Sequence, residues 1–147
     1  MSKRAPLSDP QRYQVYALEN EFLKAWLQTR QPLSQLQTLA DKACKRWGCE
    51  LIPIRFKPNT PEELYGCFFE GPPARIELYN KKRVSGRNIP VLLHEVAHHI
   101  ESELFDEASH GPKWAAVVMD LYDHYKIVPE GQFRKLAKKF KVKIAKL

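Results

Sequence analysis

Cysteine is scarce. Cys44, Cys49 and Cys67 are the 3 in 147 residues, and none stands in Cys-x-x-Cys spacing. A disulfide framework or a thiolate zinc knuckle is therefore not expected. An odd count without a secretory leader reads as free thiols in a reducing, cytoplasm-like compartment. Long apolar runs are missing as well. The longest stretch of aliphatic and methionine side chains is Ala115–Met119, far short of the ~20 residues that a membrane-spanning helix needs. Lys3 and Arg4 near the start are followed by no apolar segment, so neither a signal peptide nor a membrane partner is expected. Acidic residues are absent beyond Glu130. This last absence organises the charge. The chain carries 24 Lys+Arg against 17 Asp+Glu, a net charge of +7. All 17 acids and 17 of the bases fall within residues 1–133, which sum to zero. The whole excess lies in Arg134, Lys135, Lys138, Lys139, Lys141, Lys143 and Lys146. A uniformly basic nucleic-acid binder is thereby excluded in favour of a neutral domain, residues 1–133, followed by a basic tail or helix, residues 134–147.

What is present is enough apolar material for one core: 44% hydrophobic and 11% aromatic residues, in a chain whose length suits a single domain. Residues 9–29 read as a helix with Asp9 as N-cap, Pro10 at its first position and an apolar face of Tyr13, Tyr16, Ala17, Phe22, Leu23, Trp26 and Leu27. A second helix is expected from Ser34 to Trp47, with Ser34 and Gln37 in capping-box spacing and Gly48 as its stop. Three short strands follow, at Glu50–Lys57, Gly66–Glu70 and Ala74–Tyr79, separated by turn-rich Pro58–Pro61 and by Gly71-Pro72-Pro73. Helical periodicity returns from Pro90 to Phe105, from Pro112 to Tyr125 and again around Phe133, Leu136, Ala137 and Phe140. The order, two helices, three strands in a mostly antiparallel sheet and then further helices, is that of an α+β fold.

The chemistry concentrates in Leu92-Leu93-His94-Glu95-Val96-Ala97-His98-His99-Ile100. On a helix, His94 and His98 stand one turn apart on one face and suit a single cation. Glu95 lies beside that face, where a carboxylate reaches a water on the cation and serves as general base. The apolar neighbours predict a buried, semi-dry helix. A catalytic zinc takes three protein ligands and leaves one position open. Leu104 occupies the place of the third metzincin histidine. His110, after a loop and before the helix-start signal Gly111-Pro112, is the leading candidate for the third ligand. Glu101, Asp120, Asp123 and His124 are the alternatives, and Glu101 with Glu103, Asp106 and Glu107 reads as a solvated helix end. An oxyanion donor is also needed. Tyr122, Tyr125, His124 and His99 are the candidates, with His99 better suited to packing or to orienting a ligand.

Residues 74–119 resemble the SprT-like (Spartan-like) zinc metallopeptidase family. The matching pieces are the strand Arg75-Ile76-Glu77-Leu78, the run Leu93-His94-Glu95-Val96-Ala97-His98 and the run His110-Gly111-Pro112-Lys113-Trp114. The resemblance implies a small zincin-like domain without the cysteine-bearing zinc ribbon that several members carry. It implies one zinc ion held by His94, His98 and His110, Glu95 as base, and Trp114 packed beneath the site. It also implies that the strand before the site helix is an edge against which a protein or peptide substrate lies.

The implied activity is zinc-dependent peptide hydrolysis on DNA-associated proteins. The basic loop Lys81, Lys82, Arg83 and Arg87 and the tail residues Arg134, Lys135, Lys138 and Lys139 are the candidate phosphate contacts. The competing expectations are a solvated basic face on a docked helix and a non-catalytic nucleic-acid-binding module with a structural metal site.

Overall fold

Helix α3 (Ile89–Phe105) carries the H-E-x-x-H segment, and the other elements are arranged around it. Its start is set by Asn88, whose side chain accepts a hydrogen bond from the Val91 N–H at 3.0 Å, and by Pro90 in the first turn. Its end is set by Asp106 in the left-handed region, whose N–H bonds back to the Ser102 carbonyl. Between these caps Leu92, Leu93, Val96, Ala97 and Ile100 are all buried, so the helix is enclosed nearly all round. The computed structural model describes residues 9–58, 64–81 and 83–147.

Around α3 stand α1 (Arg12–Leu23, continued by a 3₁₀ turn at Lys24–Trp26), α2 (Leu33–Trp47), α4 (Pro112–His124) and α5 (Glu130–Phe140). The strands are β1 (Ile54–Pro58), β2 (Gly66–Phe69) and β3 (Arg75–Asn80). The architecture is α+β, and among the described residues it comprises these five helices and one three-stranded sheet. Helices α2 and α4 pack on α3, α2 and α3 lie against the sheet, and α5 packs on α1 and α4.

The sheet is mixed, with order β1-β3-β2. The expected antiparallel pairing holds between β2 and β3, in register Gly66↔Leu78 and Phe68↔Ile76, whereas β1 runs parallel to β3, in register Ile54↔Ile76 and Phe56↔Leu78. A parallel pair needs a crossover, and here the chain passes through β2 on the far side of β3 before returning. This order overturns the expectation that the strand preceding the site helix is an edge. β3 is hydrogen-bonded on both sides, and β2 is the edge strand beside α3. The approach of β2 to α3 is close at Gly66, where any side chain would crowd its neighbours. A Cβ on Gly66 would stand 3.1 Å from Val91 Cγ1 and 3.2 Å from Glu95 Cγ.

Three local expectations are revised. The cap residue of α1 is Gln11 rather than Asp9, and no side chain caps it. The buried face of α1 is Val15, Leu18 and Glu19, while Tyr13 and Tyr16 are exposed. Ser34 and Gln37 form no capping box. Pro32 precedes α2, and the Gln37 amide instead ties α2 to the strand entrance, donating to the Ile52 carbonyl and accepting from the Ile54 N–H, each at 2.9 Å. Gly48 ends α2 as expected, in the left-handed conformation at φ 71°.

Helix α5 runs across the expected boundary at 133/134. Phe133, Ala137 and Val142 are buried, and Arg134, Lys135, Lys138 and Lys139 face solvent. The segment after α5 is fastened too. The Gln11 side chain exchanges two hydrogen bonds with the Lys143 backbone, and the Ala145 N–H donates to the Pro112 carbonyl. The basic C-terminal stretch therefore helps to close the core. Phe133→Ala is expected to cost about 3–5 kcal/mol by loss of buried contacts and the cavity left behind. Lys138→Ala on the same helix should change stability by less than about 0.5 kcal/mol. Urea unfolding of the two variants checks this, and equal midpoints would show that α5 does not close the core.

Candidate metal centre

The α-helical spacing of His94 and His98 places both imidazoles on one face of α3, and the loop after Asp106 reverses the chain so that His110 returns over them. The Nε2 atom of His110 lies 3.1 Å from the Nε2 of His94 and 3.1 Å from that of His98. A tetrahedral zinc with Zn–N of about 2.0–2.1 Å would hold its nitrogens roughly 3.3 Å apart, so these donors have the right chemistry and nearly the right spacing for one cation. Among the described residues, His94, His98 and His110 are the group close enough to bind a metal ion. The other candidate ligands are committed elsewhere: Asp120 to Arg46 and Trp47, Asp123 to the Glu130 N–H, and Glu101 to Ser109.

Each imidazole has a carboxylate behind it. Glu19 on α1 accepts from His94 Nδ1 at 2.8 Å, and Asp9 just before α1 accepts from His110 Nδ1 at 2.8 Å. Glu101 Oε1 stands 3.7 Å from His98 Nδ1. With Nδ1 holding the proton, Nε2 presents its lone pair to the shared centre, and the carboxylate makes that lone pair more basic. Asp9 also accepts from the His110 backbone N–H, and Glu101 accepts from the Ser109 N–H and hydroxyl. The last two residues of the loop, Ser109 and His110, are thus each held by a buried acid. Glu101 is fully buried and is not part of a solvated helix end.

Asp9 is read from sequence only as an N-cap, and Glu19 carries no expected role. The helix expected over 9–29 would put these acids, 10 residues apart and just under three turns, on one side, whereas Asp9 lies before the start of α1.

Trp114 forms the floor. It is fully buried, its indole N–H donates to the His94 carbonyl at 3.3 Å, and its ring stacks on that of His98. A cleft of about 430 Å³ opens beside the histidines, lined by Tyr13, Tyr16, Leu23, Tyr65, His94 and Glu95 among others. Tyr122 also reaches this cleft, but its hydroxyl is spent on buried Glu19, to which it donates at 2.5 Å. Tyr125 and His124 are not brought to the site. They meet edge-on at the end of α4, and burial raises Tyr125 with Arg46 opposing. His99 turns to the other side of α3 and bonds the Glu50 carbonyl at 2.8 Å.

The electrostatics follow from burial. Burial pushes Glu95 up to about 7, helped by the Glu19 carboxylate and opposed by His94. Burial also lowers His98 and His110, His98 further through its two neighbouring imidazoles and His110 against the pull of Asp9. For His94, burial acts downward, but the Glu19 and Glu95 carboxylates outweigh it and hold the ring up to about 9. Tyr16 is pushed by burial up to about 12. The Cys44, Cys49 and Cys67 thiols are raised by burial to about 11, 12 and 11, which leaves them as protonated packing groups.

The candidate phosphate contacts fall on two surfaces. In the loop before α3, Lys81 stands over the Tyr65 ring, Arg83 is exposed and the Arg87 guanidinium lies 4.2 Å from the Phe56 ring centroid. Lys82 lies outside the described residues. On α5, Arg134 pairs with Glu130 and Lys139 with Glu21, while Lys135 and Lys138 are exposed.

Two outcomes are expected for metal binding. Removing a supporting acid, by Asp9→Ala or Glu19→Gln, should weaken affinity about 10–100-fold, read by competition with a chromophoric chelator. Unchanged affinity in both variants would show that the acids do not support the ligands. Because metal-free His94 keeps its proton until about pH 9, cation uptake at pH 7 should release about one proton, and affinity should rise with pH until about 9. Proton release measured with an indicator in weak buffer checks the sign.

No protein-family model matches the chain, and neither a curated protein nor a solved structure matches it.

Proposed function

We propose that the chain is a zinc-dependent metallopeptidase of the SprT-like kind. One observation carries this reading: a buried glutamate, Glu95, shares a cleft with His94, one of three imidazoles that converge on a point. Three imidazoles suit zinc better than magnesium or calcium, which favour oxygen donors. Three ligands rather than four leave a position for substrate or water. When bound, zinc polarises a peptide carbonyl and acidifies water.

The chain's own groups supply the rest. Glu95 accepts a proton from the attacking water and returns it to the leaving amine as the C–N bond breaks. An acidity near 7 suits both directions of that transfer at neutral pH. Glu19 and Asp9 hold two of the ligand imidazoles, Glu101 holds the loop before His110, and Trp114 excludes water beneath them. Edge strand β2, pressed against Glu95 at Gly66, is the segment placed to align an extended peptide. The exposed bases of α5 favour a substrate class of proteins associated with DNA or another polyanion.

The second reading, a non-catalytic nucleic-acid-binding module with a structural metal, is weakened by Glu95. A structural site uses four protein ligands and has no task for a buried carboxylate beside them. The discriminating experiment is zinc analysis with casein cleavage, with and without single-stranded DNA. Glu95→Gln should keep one zinc per chain and lose about 10²–10⁴-fold in cleavage, whereas His94→Ala should lose the metal. Cleavage that persists in Glu95→Gln would overturn the assignment.

A further inference from the structure

A water-mediated attack on a peptide carbonyl moves the C=O electron pair onto oxygen, and that oxyanion needs a donor aimed at it in advance. The donors considered from sequence do not serve. Tyr122 is committed to Glu19, His99 points to Glu50, and Tyr125 with His124 sits at the far end of α4. Helix α1 offers another. Glu19, midway along it, bonds His94, and Asp9, just before it, bonds His110. Tyr16 lies between them in the chain, three residues before Glu19, and stands at the edge of the triad. Its ring meets that of His110 edge-on at 5.1 Å between centroids and stands 6.4 Å from that of His94. It lines the same cleft as Glu95 and remains 39% exposed, open to a substrate. Its hydroxyl makes no hydrogen bond among the described residues, in contrast to that of Tyr122. Arg12, a cationic donor that lines the same cleft, is tied through Nε to Asp9.

From this geometry we infer that Tyr16 is the catalytic hydrogen-bond donor that holds the oxyanion formed when water adds to the scissile peptide carbonyl. The inference rests on the peptidase reading. In the step, the water oxygen bonds to the carbonyl carbon, its proton passes to Glu95, and the carbonyl π pair becomes the oxyanion that accepts the Tyr16 O–H. When the C–N bond breaks, the pair returns to re-form C=O and Glu95 protonates the nitrogen. Tyr16 keeps its proton throughout. Removing the hydroxyl should therefore act on the transition state and leave ground-state binding alone.

The test compares the full chain with Tyr16→Phe, which keeps the ring on His110 and deletes only the donor. Zinc content, kcat and KM on a peptide, and affinity for a peptide phosphonamidate, a tetrahedral anion, are measured for both. Tyr16→Phe should keep one zinc per chain, hold KM within about threefold and lose about 10²–10³-fold in kcat. It should also bind the phosphonamidate more weakly by a comparable factor. Wild-type kcat in the variant, equal phosphonamidate affinity in the two proteins, or loss of zinc from the variant would each overturn the assignment. If the wild type cleaves no peptide, the peptidase reading falls. The phosphonamidate comparison still decides Tyr16, and a wild type that does not bind it overturns both.

Discussion

Two buried acid–imidazole pairs, Asp9 with His110 and Glu19 with His94, hold the fold and the site to one another. A carboxylate in an apolar interior costs several kcal/mol unless it is paired and hydrogen-bonded. Glu19 meets that demand with His94 and Tyr122, and Asp9 with the His110 ring, the His110 N–H and Arg12. The pull of these partners holds Asp9 at about 2 against the opposing effect of burial, and Glu19 is likewise lowered. The pairs join positions 101 and 75 residues apart. α1 therefore cannot leave α3 without exposing two charges, and the histidines cannot rotate without releasing α1. The same bonds that seat α1 select the Nδ1 proton of two histidines and direct their Nε2 lone pairs inward.

This constraint passes beyond α1. The Gln11 side chain, next to the Asp9 anchor, is bonded to the Lys143 backbone, and Phe22 packs edge-on against Tyr122, which itself packs on Phe133. Helix α5 and the segment after it therefore support the helix that orients His94 and His110. The loop to His110 is held on its other side by Glu101, whose burial raises it to about 7 despite two hydrogen bonds from Ser109. Asp9 and Glu19 thus fix two of the imidazoles from outside α3, and Glu101 on α3 fixes the loop that brings His110.

What was legible in the sequence is what is local. The helix start near Pro90, the stop at Gly48 and the one-turn spacing of His94 and His98 all lie within single elements, and periodicity with turn chemistry reads such features. His110 was found because Gly111-Pro112 announces a helix start. The parallel β1–β3 pairing was missed because it depends on where β2 goes, which no strand's own residues specify. Asp9 and Glu19 were missed as site residues because their partners are 101 and 75 positions away. Asp9 next to Pro10 carries the local pattern of an N-cap, and the same oxygen atoms that would cap a helix serve here to accept from a histidine. Tyr13 and Tyr16 read as core because aromatic residues at helical spacing usually are. α1 instead buries Val15, Leu18 and Glu19, and its aromatic side faces the cleft.

The uneven charge takes on a different meaning in this frame. Residues 1–133 are neutral and the surplus of seven bases follows them, which suggests a separable appendage. α5 starts before that boundary, buries Phe133 and Ala137 on one side and presents Arg134, Lys135 and Lys138 on the other. One helix thus serves the core and the basic surface together. Two of its cations are drawn towards acids, Lys139 to Glu21 on α1 and Arg134 to Glu130, and such exposed pairs contribute little to stability. The apolar side of α5 accounts for its docking, and its bases are free to meet a polyanion at small cost to the fold. A load on that basic face would press on the helix that backs α1, so the exposed side of α5 is mechanically continuous with the residues that hold the His94 and His110 imidazoles.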